Sequence, residues 1–121
     1  MASTQVLVLG FDPTTIPGYD PAPVVEAIER GQRRFVEYGI SCELGLLPFD
    51  DTSDDRIAAL LRREPYACVV IGGGIRKEEE LLELFERVVN LVRVHAPQAA
   101  IAFNSRPDDS ADAARRWLTG A

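Results

Sequence analysis

Residues 67–76 read ACVVIGGGIR, and the parsing of this stretch decides the fold. Cys68, Val69, Val70 and Ile71 form a run with no polar residue. An apolar run that does not alternate suits a strand covered on both faces, the habit of parallel sheets. Gly72, Gly73 and Gly74 end the run, and Arg76 and Lys77 follow at once. Glycines permit tight turns and let a ligand approach the main chain closely. A long helix is expected over residues 77–95, so its free N–H groups and positive dipole end would face the same spot. The stretch therefore predicts a central strand, a turn and an anion seat.

Upstream, Val6-Leu7-Val8-Leu9 with Gly10 predicts a first buried strand. Residues 11–20, FDPTTIPGYD, make a loop too long and too rich in Pro and Gly to be a plain connector. Asp20 and Pro21 suit a helix start. Val24, Ile28 and Phe35 then share one apolar helical face, with Ala27 and Gly31 between them, and Gly39 supplies the stop. In residues 41–47 the apolar Cys42, Leu44 and Leu46 alternate with Glu43 and Gly45, predicting an edge strand with one wet face. Residues 48–52 carry Asp50 and Asp51, and the short helix after them points Ile57, Leu60 and Leu61 inward. Glu64-Pro65 ends that helix, because a residue before proline avoids the helical region.

Downstream, helix 77–95 has Glu78, Glu79 and Glu80 in its expected first turn and His95 in its last. Leu81, Phe85, Val88 and Val92 form its inward stripe. Leu84 and Leu91 make that stripe wider than the arc of about 100° a layer helix needs. Residues 99–103 predict a fourth strand, 104–107 its exit loop, and Asp108 or Asp109 the cap of a final helix bearing Ala114, Trp117 and Leu118.

The order is βαβαβαβα without linker or repeat. Strict alternation predicts a three-layer α/β/α domain, a four-stranded parallel sheet with helices on both faces. A wet second strand belongs at an edge and apolar first and third strands in the middle, giving the order 2-1-3-4. Ligands bind such sheets where the strand order reverses, outside the carboxyl ends of the strands. That switch point lies between the first and third strands, flanked by loop 11–20 and the glycine turn. Candidate ligand-binding residues are Asp12, Thr14, Thr15, Gly72, Gly73, Gly74, Arg76, Asn104 and Ser105, suited to a small anionic or polar molecule. Asp50 and Asp51 share this rim, whose carboxylates also suit a divalent cation. The Asp, Asn, Ser, Thr and Gly residues have ordinary competing roles in turns and caps, and Arg76 as an exposed partner of the nearby glutamates.

The chain of 121 residues, with 46% hydrophobic and 26% charged residues, fits one domain spanning 1–121. Nineteen acidic against 13 basic residues give a net charge of -6. That balance argues against nucleic acid, which needs a cationic surface, and against anionic membranes. No apolar run approaches the ~20 residues of a membrane span. Residues 1–5 lack the basic region of a signal peptide, so a cytoplasmic location is expected. Cys42 and Cys68 fall inside strands without C-x-x-C spacing and read as buried hydrophobes. His95 is expected on the rim opposite the switch point, which leaves no Cys–His pair. Glycine spacing matches neither the dinucleotide fingerprint nor the P-loop. No motif names a reaction or a cofactor.

The wiring resembles that of flavodoxin-like, Rossmann-like and receiver domains in its alternation and its 2-1-3 start. A receiver carries an acidic pair after strand 1 and a phosphoacceptor Asp ending strand 3. Here Asp12 stands alone and Gly72–74 occupy that end, so the resemblance implies architecture and not phosphotransfer. GFDP at residues 10–13 is similar to the opening of pyroglutamyl peptidases, whose Cys–His–acid set has no counterpart. Two functions are expected: small-ligand binding at the switch point, or a non-catalytic homodimeric assembly domain. The dimer would bury helix 77–95 through Leu84 and Leu91 and shield the apolar fourth strand, Ala99, Ile101 and Phe103, an edge that is normally protected or paired.

Overall fold

The computed structural model describes residues 5–118; residues 1–4, read above for targeting signals, lie outside the described part. Four strands, β1 (Val6–Phe11), β2 (Cys42–Leu47), β3 (Cys68–Ile71) and β4 (Ala100–Phe103), form one parallel sheet in the order β2-β1-β3-β4. Val6 is level with Cys42 on one side and Cys68 on the other, and Ile71 is level with Phe103. The sheet is the predicted one.

Strand alternation sends side chains to two cores. Leu7, Leu9, Val69 and Ile71 pack with Ile57 and Leu61 of α2 (Ser53–Leu61) and with Leu84, Val88 and Val92 of a later helix, Leu82–His95. Val6, Val8, Cys68, Val70 and Ala102 face Phe35 of α1 (Ala22–Tyr38) and three alanines of the last helix, Ser110–Arg115. Helices thus cover both faces of one sheet.

Three local readings change. The segment after β3 is no continuous helix from 77: a single turn, α3 (Gly73–Arg76), and a 3-10 turn (Glu79–Leu81) precede α4 (Leu82–His95). The long helix therefore starts past the glutamates, and its dipole does not issue from the glycine turn. Leu84 is buried in the domain's own core and Leu91 packs partly against it, so this width of the stripe serves the interior. The exposed apolar residues of α4 are Leu82 and Val94. Trp117 lies beyond α5 (Ser110–Arg115) and is more than half exposed.

The face of β2 expected to be wet is also covered. An added Cβ on Gly45 would lie 2.9 Å from Leu60 and 3.2–3.3 Å from Leu9 and Leu7. Glu43, on the same face, accepts the buried Tyr66 hydroxyl and pairs with Arg63. Burial, reinforced by that carboxylate, holds the Tyr66 hydroxyl well above its ordinary pKa.

Candidate functional site

Gly72 continues the β3 ladder by donating its N–H to the Leu9 carbonyl at 2.8 Å. Its φ of -70° and ψ of 158° suit any residue, so conformation does not demand glycine. Space does: an added Cβ would meet the Leu9 oxygen at 2.9 Å. At Gly74 the nearest such neighbour is Phe11 at 3.8 Å, and at Gly73 it is the flexible Lys77 side chain. The first glycine accommodates a neighbouring strand, and the other two are under no comparable constraint.

The Gly73 N–H donates to the Asn104 side-chain oxygen at 3.1 Å. Arg76 turns back onto the sheet. Its Nε donates to the Ile71 carbonyl at 2.9 Å, its Nη2 bonds both the Asn104 carbonyl and the Asn104 Oδ1, and the guanidinium lies 5.0 Å from the Phe103 ring centre. Burial lowers its pKa from the usual arginine value. Arg76 braces the carboxyl ends of β3 and β4. Lys77 donates to the Ser105 carbonyl, and the Ser105 N–H donates to Asp109.

On the other side of the switch point, Asp12 caps the turn Pro13–Thr15 by accepting from the Thr14 N–H and hydroxyl. The Thr15 hydroxyl donates to the Asp12 carbonyl and accepts the Phe49 N–H. Asp50 likewise caps its own turn through Thr52, whose hydroxyl and amide hold the Asp50 carboxyl below its ordinary pKa. Among the described residues no group of three or more His, Cys, Asp or Glu is placed to hold a metal ion. The side chains of Asp12, Thr14, Thr15 and Asp50 are engaged in local turns.

Between these two loops opens a cavity of about 620 Å³, within the range of pockets that enclose small molecules. Its sheet floor is Val8, Gly10, Leu44 and Leu46, its roof is Val24, Ile28 and Gln32 of α1, and Ile16, Tyr19 and Phe49 close one side. Gly72, Gly73, Gly74 and Asn104 line it, whereas Asp12, Thr14, Thr15, Arg76 and Ser105 do not. The cause lies in α1. Its buried side is Ala27, Gly31 and Phe35, and Gly31 presses so closely on Pro107 that an added Cβ would fall 2.6 Å from the Pro107 oxygen. With α1 packed toward that segment, Gly10, Leu44 and Leu46 at the carboxyl ends of β1 and β2 are only half-buried. Val24 and Ile28, read as core, face the cavity instead.

Polar groups are few in this lining. Asn104 and Ser110 are both more than nine-tenths buried, and Asn104 Nδ2 donates to Ser110 Oγ at 3.0 Å. Among the described residues, Gln32 accepts only from the weak Cys42 thiol donor, at 3.9 Å. Glu78 and Glu80 are exposed and are the charged residues of the lining. Burial raises both thiols, Cys42 up to about 12 and Cys68 up to about 11, which disfavours the thiolate. The chain's single histidine, His95, ends α4 and so lies at the amino-terminal rim of the sheet, leaving Ser110 without an imidazole base. The arrangement can enclose and orient a molecule, and it carries no activated nucleophile.

Neither the roof nor most of the floor was identified from sequence as part of the site. The signal was the alternation of Leu44 and Leu46, which marks an apolar face without saying what covers it. No protein family model matches the chain, and a comparison with curated proteins gives no match.

Proposed function

We propose that this domain binds a small molecule in the crevice at the carboxyl ends of β1 and β3, with the ligand extending beneath α1. The carrying observation is the cavity of about 620 Å³ at the switch point, floored by Val8, Leu44 and Leu46 and roofed by Val24 and Ile28. An apolar cavity with a few convergent polar groups is what small-molecule sites look like. No helix of the described residues is long and apolar enough to cross a membrane, and the acidic balance supports a protein of the cytoplasm.

Gly10 allows a direct test. It lies in the cavity floor, and an added Cβ would meet only Leu46, at 4.0 Å. In Gly10→Ile the side chain enters the cavity from a strand position that favours β-branched residues. A thermal-shift screen of small molecules is expected to give compounds that raise the Tm of the natural protein and not that of Gly10→Ile. At a hundredfold excess over Kd, the stabilisation is about 2.7 kcal/mol. No stabilising compound, or equal shifts in both proteins, overturns the proposal.

A second reading, a non-catalytic homodimer, is supported by the outer edge of β4 and by the exposed Phe103 and Leu82. Open edges attract pairing. The interface would then use these residues rather than Leu84. A monomer mass in light scattering at micromolar concentration overturns this reading.

A further inference from the structure

Granting the binding proposal above, on which this rests, we infer that the ligand is uncharged: an aliphatic body carrying a carbonyl-type acceptor that docks on Asn104 and Ser110. At the buried end of the cavity, the side chains of Asn104 and Ser110 have donors to spare, whereas the acceptors of Glu78 and Glu80 are exposed. Asn104 Oδ1 already accepts from the Gly73 N–H and from Arg76, and one Nδ2 hydrogen goes to Ser110 Oγ. Among the described residues, no acceptor meets the second Nδ2 hydrogen or the Ser110 hydroxyl hydrogen. Buried donors gain from an added acceptor, and here both belong to residues that line a largely apolar, partly open cavity. A ligand carbonyl supplies the missing acceptor.

An anion would meet the same donors but fits worse. None of the lining residues is Lys, Arg or His. The nearby cations are spent, Arg76 on the carbonyls of Ile71 and Asn104 and Lys77 on that of Ser105. The charges present are the carboxylates of Glu78 and Glu80, in a chain of net charge -6. A ligand carboxylate would lose its water without gaining a counter-charge. An ammonium suits the glutamates but offers nothing to the buried donors. The apolar floor and roof take the rest of the molecule.

The probes are octanamide, octanoate and octylammonium, which share one aliphatic tail, titrated by calorimetry into the natural protein, Gly10→Ile and Ser110→Ala. Octanamide is expected to bind about tenfold or more tightly than octanoate, and more tightly than octylammonium, with all binding lost in Gly10→Ile. Ser110→Ala is expected to weaken octanamide by about three- to tenfold, the worth of one hydrogen bond. Pentylbenzene, which lacks the acceptor, should bind the natural protein and Ser110→Ala alike, which separates lost recognition from lost folding. Octanoate or octylammonium binding as tightly as octanamide overturns the assignment of ligand class and leaves the cavity proposal standing. So does the absence of binding by all three when other compounds bind the natural protein but not Gly10→Ile. If no compound of any class distinguishes those two proteins, both proposals fall.

Discussion

On the side of Leu7, Leu9, Val69 and Ile71 the sheet is sealed by α2 and α4, whereas on the side of Val8, Gly10, Leu44 and Leu46 it carries a cavity of about 620 Å³. The same strands serve both faces, so strand composition does not explain the difference. Two glycines measure it. On the sealed face a methyl at Gly45 would press on Leu60, Leu9 and Leu7 within 3.3 Å, while at Gly10 it would find only Leu46 at 4.0 Å. The covering helices differ in how they are held. α4 meets the sheet through Leu84, Val88 and Val92, but α1 is drawn aside by Gly31 against Pro107 and by ion pairs from Arg30 to Asp108 and Arg34 to Asp112. A helix that meets the sheet through Phe35 and is otherwise anchored to its neighbour leaves a space beside it.

The largest expected effect tests that contrast with the same substitution on each face. Leu7→Ala empties a fully buried site in the sealed core, and such truncations typically cost about 2–5 kcal/mol. Leu44→Ala removes a half-buried side chain that already borders empty space, so its expected cost is about 1 kcal/mol or less. Urea unfolding of the two variants gives the comparison directly. Equal losses would mean that the cavity is packed as tightly as the core.

Next come the glycines of the turn. Gly72→Ala forces a methyl onto the Leu9 carbonyl oxygen at 2.9 Å, an overpacking expected to cost about 1–3 kcal/mol. Gly74→Ala sits in a helical turn with room around it, and is expected to stabilise by about 0.4–1 kcal/mol through the unfolded chain. Opposite signs from two neighbouring glycines, read as Tm shifts, would show that the turn is constrained on its sheet side only. At Gly31 the two effects compete. A methyl 2.6 Å from the Pro107 oxygen levers α1 away, while alanine returns about 1 kcal/mol of helix propensity. The expected net is a smaller loss, accompanied by changed affinity for any cavity ligand.

The sheet was legible because unbroken runs such as Cys68–Ile71 report burial through side-chain pattern, which is local, and the alternation around Glu43 marked the edge strand although both of its faces are covered. The cavity was not. Val24 and Ile28 carry the same apolar pattern whether they meet a strand or an empty space, and the Gly31–Pro107 contact that decides between these joins distant parts of the chain. The glycine turn does line the cavity, but the reason for its first glycine was not legible. Its Gly72 is required by the neighbouring Leu9 carbonyl, which becomes visible only with the strand register. Arg76 looked like an anion ligand because its acceptors are main-chain carbonyls, which leave no trace in sequence.

The smallest effect concerns what holds α1 in place. Asp112 accepts from the Tyr38 hydroxyl and from Arg34, and these contacts, Tyr38 first, hold its carboxyl below the ordinary carboxylate pKa. Asp108 is lowered as well, mainly by Arg106 and then by the charges of Arg106, Arg30 and Arg34. A group whose folded pKa is depressed contributes stability above its unfolded value, near 4, and loses it as pH falls through the folded value. The attachment of α1 should therefore weaken below about pH 4, while α4 is held chiefly by apolar contacts, with an exposed pair from Arg87 to Asp54 of α2. Tyr38→Phe removes the leading cause of the shift at Asp112. It should lower stability at neutral pH by a small amount, because the pair is partly exposed, and the gap from the natural protein should shrink as Asp112 protonates. Hydrogen exchange on α1 and α4 across this range separates the two attachments: protection lost first in α1 is the expected result, and simultaneous loss would show that both faces are held in the same way.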